Sequence, residues 1–331
     1  MPGKVHPDDL VAHVFGRTGD ADDAVLQGPA TGEDAAAIDW PGGHLVVSSD
    51  PISLAASEVG TLGVHVACND VAASGADPRW LTTVILLPPS AADDGDDTLE
   101  IVTRDLDAAA RSLGATIVGG HSEYVDALER PLVSLTAMGA AERVLETGGA
   151  RPGDHVLLTK AAAIEGTAIL AADFGEQLDV DEATRSSAEA FLAEVSVVSD
   201  ARVLREYATA MHDPTEGGVT AGLLELAQAS GVRLEVDRDA IPVRPETATL
   251  CGAAGVDPLR IFGSGTLLAT VPDDDLEACL DALSAADLEA AVVGRVRALD
   301  DAERPSLVLD GESITDPVMD DLYPLWEGND S

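Results

Sequence analysis

A chain of 331 residues is long enough for two domains, each with its own hydrophobic core. Its 60 acidic and 19 basic residues give a formal net charge of −41, which disfavours nucleic acids and anionic membranes as partners. At molar salt the Debye length falls to about 3 Å and screens the self-repulsion, so the charge predicts a halophilic source with a high-salt cytoplasm.

The cysteines are few and far apart, namely Cys68, Cys251 and Cys279. Without a CxxC pair they indicate neither a disulfide framework nor a zinc site. No basic N-terminal region precedes an apolar core, and no apolar run approaches the length of a membrane span. The sequence therefore predicts a cytoplasmic protein in a reducing compartment.

The first half of the chain predicts short strands joined by glycine-rich turns. A short helix near residues 10–15 precedes a hairpin over residues 41–43, and Asp34 and Asp50 lie at the ends of successive strands, where they could face one another. The next helix, over residues 57–74, carries Asn69-Asp70 in its interior. Both are poor helix formers, and their apolar neighbours argue against the alternative of a solvated face. The pair is therefore a candidate for function.

A buried strand over residues 80–87, a helix over 99–113 and a strand over 115–118 follow. The last strand leads into Gly119-Gly120-His121-Ser122-Glu123. A glycine pair at a strand end permits close approach of a ligand, although such pairs usually only make turns. With a further strand over 132–139, this half has little helix to cover its strands. Because an exposed sheet edge must be paired, we expect a homodimer joined through residues of about 30–140.

The second half begins after a glycine-rich linker, so we divide the chain into domains 1–148 and 149–331. The mixture of strands and helices without a regular βαβ repeat indicates an α+β fold in both halves. Strands are predicted over 155–159, 233–236 and 291–296 and in a hairpin over 306–314, and helices after Glu165-Gly166 and over 182–207, 246–254 and 274–285.

One stretch, residues 211–219, combines a strand end, a polar turn and the first turn of a helix. Pro214 fixes the turn, Thr215 can cap the helix, and the two glycines that follow leave backbone N–H groups uncovered, which suits an anionic group. Asp213 and Glu216 would repel a bare phosphate, so a divalent cation between carboxylate and phosphate would reconcile them. The alternative is a capped turn with solvated acids.

Common nucleotide and hydrolase motifs are missing. The sequence has no GxxxxGK[ST], GxSxG or HExxH, and Gly263-Ser264-Gly265 opens a strand rather than the helix of a dinucleotide site. Acids beside glycines at the ends of elements recur instead. Carboxylate oxygens gathered with exposed backbone amides suit Mg²⁺ and a polyphosphate.

These segments occur in the order seen in the aminoimidazole-ribonucleotide synthetase (PurM-like) superfamily, which the chain resembles over nearly its whole length. They are residues 32–36, 49–50, 63–76, 119–123 and 213–218. The Asp-Pro-Thr-x-Gly-Gly sequence and the later Gly-Thr-Leu-Leu most resemble the HypE hydrogenase maturation proteins. The resemblance implies an α+β fold of two PurM-like domains, of which the N-terminal one forms a β-barrel across a dimer.

The resemblance also implies ATP and Mg²⁺ as cofactors and assigns site residues. The metal ligands would be Asp34, Asp50, Asp70 and Glu123, the last standing in for the Asp that usually follows the glycine pair. The nucleotide would contact Gly32, Asn69, Gly119, Gly120, Thr215 and Gly217, and the catalytic residues would be Asp213 and His121. Alternatively, His121 is a solvated loop residue. If its ring faces the phosphates, affinity for MgATP weakens as pH rises.

The implied activity is ATP-dependent phosphorylation of an amide, carbamoyl or related oxygen of a small-molecule or carbamoylated-protein substrate. Alternatives on the same fold are a small-molecule kinase or cyclo-ligase, resembling thiamine-monophosphate kinase or aminoimidazole-ribonucleotide synthetase, and a non-catalytic nucleotide-binding paralogue. HypE proteins end in a cysteine that carries the carbamoyl group, whereas this sequence ends in Asn329-Asp330-Ser331. Thiocarbamate chemistry is therefore not expected, and selenophosphate synthesis is disfavoured because the first cysteine is Cys68.

Overall fold

The computed structural model describes residues 5–52, 58–93, 95–300 and 303–329, which divide into two units. The N-terminal unit comprises the described parts of residues 23–28 and 34–144. The C-terminal unit comprises the described parts of residues 1–22, 29–33 and 145–331. The helix expected near residues 10–15 is observed as α1 (Pro7–His13).

The N-terminal unit is built on a six-stranded sheet with the order β1-β2-β3-β6-β4-β5. Neighbouring strands are antiparallel except β4 and β5, which are parallel. The strands are β1 (Val25–Gln27), β2 (Ala36–Trp40), β3 (Gly43–Ile52), β4 (Asp77–Leu87), β5 (Thr116–Tyr124) and β6 (Leu132–Ala141). The sequence did not predict β1.

One face of this sheet carries the core of the N-terminal unit. Strand residues alternate between the faces, and Val46, Leu81 and Leu135, which are fully buried, point to the same one. Helix α2 (Val59–Ala73) packs on this face, and α3 (Thr98–Leu113) packs on α2. We call the opposite face, which carries the side chains of Thr82, Val84 and Thr136, the open face. The expected helix over 57–74 matches α2, although residue 57 lies outside the described residues.

The prediction of a strand that ends at residue 118 is wrong. β5 continues through the glycine pair to Tyr124 and runs parallel to β4. A Cβ atom at Gly120 would lie 2.0 Å from the carbonyl oxygen of Thr83, so glycine is required where the two strands approach at a bulge. The glycine pair therefore marks close strand pairing, not the end of the strand.

The C-terminal unit is built on a seven-stranded sheet with the order β13-β12-β9-β11-β7-β10-β8. Only β9 and β12 are parallel among the paired neighbours in the described part of this sheet. The strands are β7 (His155–Thr159), β8 (Ala210–His212), β9 (Arg233–Val236), β10 (Leu268–Val271), β11 (Ala290–Arg297), β12 (Ser306–Leu309) and β13 (Glu312–Ile314).

Helices surround this second sheet. They are α4 (Ile164–Ile169), which continues as a π-helical turn to Phe174, α5 (Glu182–Glu189), α6 (Val198–Leu204), α7 (Gly218–Ser230), α8 (Pro245–Ala254), α9 (Leu276–Ala285) and α10 (Tyr323–Asn329). The helical region expected over 182–207 is observed as α5, a 3₁₀ segment (Ala190–Glu194) and α6. The sequence did not predict α10. None of the described helices is both long and apolar enough to cross a bilayer.

Helix α7 connects the core of the C-terminal unit to the turn that precedes it. Its buried Val219, Leu223 and Leu226 belong to one apolar cluster with Leu158 of β7 and Leu234 of β9. These positions recur at helical spacing, which buries one side of α7 against the sheet. The position of α7 is therefore fixed by the core, and its first residue is presented at the end of β8.

Candidate functional site

Ser48 lies at the centre of a group of oxygens in the N-terminal unit. On β3 it shares the helix-covered face with Asp50, because side chains two residues apart point the same way. Its Oγ lies 2.6 Å from Oδ2 of Asp70, 3.0 Å from Oδ2 of Asp50 and 3.0 Å from the carbonyl oxygen of Asp34. A serine hydroxyl has one proton to donate, so it serves one of these oxygens at a time. The structure thus brings three predicted metal ligands to one serine, Asp34 through its backbone.

Asp70 and Asn69 both face the packed side of α2. The exposed fraction is 5% for Asp70 and 0% for Asn69, so the alternative of a solvated face is wrong. A buried carboxylate costs free energy unless donors or a cation compensate its charge. The hydroxyl of Ser48 is one such donor, and a bound cation would compensate the charge further.

A magnesium ion fits this group of oxygens. Mg²⁺ is usually held by one or two carboxylates together with water and substrate phosphates. Across the described residues, no three Asp, Glu, His or Cys side chains converge into a cluster that could hold a metal ion by themselves. The two carboxylates and one carbonyl at Ser48 therefore match an ion that is bound together with a polyphosphate.

Gly119 and Gly120 lie in the same sheet as Asp50 but at a distance from it. The row of paired residues through Asp50 passes Leu135 on β6 and Thr83 on β4 before it reaches Gly120. Three strand spacings separate the ends of this row, which amounts to about 14 Å. Within the N-terminal unit, the glycine pair is not brought into contact with the aspartate group.

His121 and Glu123 lie on the open face. His121 is paired with Val84, and Glu123 follows two residues later on the same side of β5. Nε2 of His121 lies 3.1 Å from Oε2 of Glu123, and the two side chains are 64% and 55% exposed. Glu123 is thus on the opposite face of the sheet from Asp50, and its observed partner is His121. Its role as a metal ligand stays a prediction.

In the C-terminal unit, Asp213 follows β8 and is 3% exposed. The chain then turns into α7 through Gly217 and Gly218, whose φ angles are +77° and +63°. A Cβ atom at Gly218 would lie 2.5 Å from the carbonyl oxygen of Ile261, so both conformation and space require glycine there. The turn is thereby held in a single tight path between strand and helix.

The expectation that Thr215 caps α7 is wrong, because the N-cap residue of α7 is Gly217 and no side-chain capping hydrogen bond is formed there. The carbonyl oxygen of Thr215 instead accepts the N–H groups of Gly218 at 3.1 Å and Gly263 at 2.9 Å. Oδ2 of Asp320 accepts the N–H of Gly217 at 2.8 Å. The expectation that the two glycines leave their N–H groups uncovered is also wrong, because protein oxygens accept both.

Three acids gather behind this turn. Glu165 is 7% exposed and Asp320 is 3% exposed, and Glu216 lies near both. Burial, together with the neighbouring carboxylates, raises the pKa of Asp320 to about 7 and raises the pKa of Glu165 above its usual range. Two of the three carboxyl groups beside the turn, those of Asp320 and Glu165, therefore resist ionisation.

An aromatic cluster holds the C-terminal segment beside these acids. Its four rings have centroid distances of 5.8 to 6.2 Å, and they belong to Phe174, Phe262, Tyr323 and Trp326. The indole nitrogen of Trp326 also donates to Asp173 at 3.1 Å. Tilted and edge-on ring contacts add to the free energy gained from burial. This packing anchors α10, and with it Asp320, against the C-terminal unit.

Gly32, predicted to contact the nucleotide, packs against α7. A Cβ atom there would be 3.4 Å from Cβ of Ala229, so the backbone passes close to the helix. The next residue, Glu33, accepts the N–H groups of Thr147 and Gly148 at 3.3 Å each. Burial raises the pKa of Glu33. Gly32 and Glu33 thus belong to the C-terminal unit, whereas Asp34 belongs to the N-terminal unit.

All three cysteines of the sequence are buried. Burial raises the pKa of Cys68 and of Cys251 to about 12 and that of Cys279 to about 11. A thiol is nucleophilic as its thiolate, which these surroundings disfavour. The cysteines therefore serve as small apolar core residues.

Sequence reasoning missed Ser48 and Asp320. The alternation of Val46, Ser48 and Asp50 along β3 is a signal that could have identified the first. Asp320 lies 103 residues from the glycine whose N–H it accepts, and no local pattern connects the two.

Two AIR synthase related domains occupy the chain. A family model for the N-terminal domain of AIR synthase related proteins matches residues 32–141, and one for the C-terminal domain matches residues 151–304. The fold and these matches define a protein of the PurM-like class.

Similar proteins show to which family within the PurM-like class the chain belongs. The carbamoyl dehydratase HypE of Rhizobium leguminosarum bv. viciae is 32% identical over 81% of this chain and 78% of its own. The carbamoyl dehydratase HypE of Cupriavidus necator is 34% identical over 80% and 77%. The crystal structure of Escherichia coli HypE matches with a TM-score of 0.69 and 27% identity, over 83% of this chain and 85% of that one. The chain therefore belongs to the HypE family within the PurM-like superfamily.

The thiamine-monophosphate kinase fold is also similar. AaThiL, solved in complex with AMPPCP and TMP, matches with a TM-score of 0.71 and 22% identity, over 86% of this chain and 90% of that one. At this identity the likeness concerns the fold alone. The predictions of a two-domain α+β PurM-like fold and of a HypE-like enzyme are confirmed.

Proposed function

We propose that the protein is an ATP-dependent enzyme of the HypE type that activates an amide, carbamoyl or related oxygen. In the proposed step that oxygen bonds to the γ-phosphorus of ATP, the bond from this phosphorus to the β-bridging oxygen breaks, and ADP leaves. The phosphorylated oxygen then becomes a leaving group. Family membership supports this proposal, as do relatives named carbamoyl dehydratases and a HypE structure, 25% identical to this chain, solved in complex with ATP.

The observation that carries the proposal is the convergence of Asp50 and Asp70 on Ser48. We propose that these two carboxylates, with the carbonyl oxygen of Asp34, hold Mg²⁺. When bound, Mg²⁺ neutralises charge on the β- and γ-phosphates. Ser48 donates its one proton to one of the two carboxylates at a time, and the packing of α2 fixes Asp70 against β3. Asn69, Gly119 and Gly120 stay proposed contacts of the nucleotide.

In the C-terminal unit we propose that Asp213 acts in catalysis and that Thr215 lies near the phosphates. Asp213 is held by the end of β8 and by the glycine turn that follows. A buried carboxylate in a fixed turn can orient a polar group of the substrate. Gly32 and Gly217 are proposed to shape this region through their backbones, since Gly217 already donates its N–H to Asp320.

The burial of all three cysteines bears on the acceptor. None of them presents a thiolate on which a carbamoyl group could be carried. We therefore propose that the activated oxygen belongs to a separate molecule, either a small amide or a carbamoylated protein. A HypE solved in complex with HypF illustrates a protein partner in a protein of this fold.

We further propose that the protein is a homodimer whose N-terminal domain, residues 1–148, forms a β-barrel with its copy, while residues 149–331 form the second domain. Strand β5 is the outermost strand of its sheet, and each of its nine residues is exposed. Within this strand, Val118 is 56% exposed and Tyr124 is 51% exposed. An exposed hydrogen-bonding edge with apolar side chains is suited to pairing. We place this dimer in the cytoplasm of a halophile because of the net charge of −41.

The proposed function is tested by substrate-dependent ATP turnover in molar KCl. A carbamoylated peptide, thiamine monophosphate and formylglycinamidine ribonucleotide would be supplied in turn, and release of ADP would be measured. We expect turnover with the carbamoylated peptide and none with the Asp50→Asn variant. Turnover with thiamine monophosphate or the ribonucleotide alone would replace the HypE-type reaction by a kinase or cyclo-ligase. Binding of ATP without turnover on any of them would make the protein a non-catalytic paralogue.

A further inference from the structure

His212, the last residue of β8, is tied to α7 across the turn that the two elements enclose. Its Nε2 lies 2.8 Å from Oε2 of Glu225, which is 13 residues further along the chain. The His212 side chain is 3% exposed and that of Glu225 is 34% exposed. The contact therefore joins the end of the strand to the helix across the turn. We call this contact between His212 and Glu225 the lock.

A second carboxylate lies near His212. Glu33 interacts electrostatically with the imidazole and is itself held by the N–H groups of Thr147 and Gly148. Glu146 adds negative charge to the same region. Asp213, the next residue along the chain, is a further buried acid. His212 is thus surrounded by acids from α7, from the segment at residue 33 and from its own turn.

Because a carboxylate accepts hydrogen bonds, Nε2 of His212 is the donor in its contact with Glu225. Burial alone would favour neutral imidazole, but a charge-assisted hydrogen bond at 2.8 Å and several carboxylates act in the opposite direction. Removing the charge of Glu225 would therefore favour the neutral ring.

We infer that Glu225 is a positioning residue, which holds His212 and through it sets the orientation of Asp213 and of the turn as far as Gly218. This inference rests on the proposed function only in so far as Asp213 acts on ATP. The effect of the lock on the conformation of the turn does not depend on the proposed function. Because α7 and Ala210 of β8 both belong to the apolar core, a change in the lock is passed to the turn between them.

The inference is tested by following the imidazole of His212 by NMR during a pH titration in molar KCl. Comparison with a His212→Asn spectrum assigns its signals among the seven histidines. We expect the titration midpoint of His212 to fall by about one pH unit in Glu225→Gln, since the hydrogen bond remains and the charge is lost. The backbone amide signals of Asp213 to Gly218 should follow the same midpoint.

A matched control is Glu277→Gln, because Glu277 is an exposed acid on α9. It should leave the titration unchanged. An equal midpoint for His212 in the wild type and Glu225→Gln, or turn amides that do not follow it, would overturn the inference.

Binding of MgATP separates the inference from the proposed function. We expect affinity to decrease from wild type to Glu225→Gln to Glu225→Ala, by about 10-fold at each step at most. If the wild type binds no MgATP, the proposed function fails, while the NMR midpoints still decide the lock. If the wild type binds and neither variant changes the affinity or its pH dependence, the role of Glu225 in positioning Asp213 is overturned.

Discussion

Oδ2 of Asp320 lies 2.8 Å from the backbone nitrogen of Gly217, so a residue near the end of the described chain accepts a hydrogen bond from the glycine that precedes α7. Its other oxygen accepts the N–H of Leu322 at 2.9 Å. One carboxyl group therefore joins the C-terminal segment to the turn after β8. A helix cap that is usually supplied by a neighbouring residue is here supplied from 103 residues away.

Asp320 should make stability depend on pH. Its carboxyl has an ordinary pKa of 3.8 when unfolded and a pKa raised to about 7 when folded, because burial and nearby acids oppose ionisation. Its contribution is fully present below about pH 4 and is lost as pH rises through about 7. At about 1.4 kcal/mol per pKa unit, the change approaches roughly 4 kcal/mol. Urea unfolding of the wild type and of Asp320→Asn in molar KCl measures the difference.

Asp320→Asn should remove most of this dependence between pH 4 and 7, because the amide does not ionise. Asp316→Asn, at an exposed position of the same segment, serves as the control and should retain the wild-type curve. Parallel curves for Asp320→Asn and the wild type would show that Asp320 ionises freely in the folded protein.

Asp50→Asn and Asp70→Asn should each weaken Mg²⁺-dependent binding of ATP by at least about 10-fold while leaving the fold intact. The reason is that both carboxylates converge on Ser48, and even partners outside the ligand sphere of a metal are typically worth 10- to 100-fold. Isothermal titration calorimetry with and without Mg²⁺ provides the measurement. Asp126→Asn, at an exposed position of the same unit, should bind as the wild type does. Unchanged affinity in both site variants would remove the metal from this position.

Val118→Lys should dissociate the proposed dimer. A lysine on the exposed edge strand β5 would face its own copy near a two-fold axis or carry charge into the paired edge, and both disfavour association. Light scattering in molar KCl should then report the mass of a monomer. Leu99→Lys, at an exposed apolar position on α3, should stay dimeric. A wild type that is monomeric in molar KCl would contradict the dimer itself.

His121→Ala should flatten the dependence of MgATP affinity on pH, if a protonated His121 ring contacts the phosphates. Glu123→Gln should instead raise the Mg²⁺ concentration needed for binding, if Glu123 is a metal ligand. The two side chains are paired at 3.1 Å, so each variant also frees the other residue. Calorimetric affinity curves against pH and against Mg²⁺ separate the two roles. Identical pH curves for the wild type and His121→Ala would leave His121 as a surface residue of β5.

Local patterns were sufficient to predict α2, α3, β7 and β9 from the sequence. Helical spacing, αL glycines at helix ends and short apolar runs fix these elements within a few residues. The burial of Asp70 could also be predicted, because its apolar neighbours excluded a solvated face. These features depend on residues close together in the chain.

Features that depend on distant residues could not be predicted in this way. Gly119-Gly120 looks like a turn until β4 is known to lie against it, when the close approach of Thr83 explains the glycines. The cap of α7 by Asp320 requires the packing of α10, which an aromatic cluster fixes. The division of the Gly-Glu-Asp motif, with Glu33 in one unit and Asp34 in the other, is likewise a property of the folded chain.

The exposed edge of β5 has a consequence for how the newly made protein behaves. A nine-residue edge strand that is exposed along its length is a template for indiscriminate aggregation. At molar salt the repulsion between two such surfaces is screened beyond about 3 Å, so the net charge of −41 opposes mismatched copies only where they come into close contact. The acidic surface therefore disfavours mismatched association of newly made chains. It leaves β5 open to one well-matched partner while discouraging the many mismatched ones.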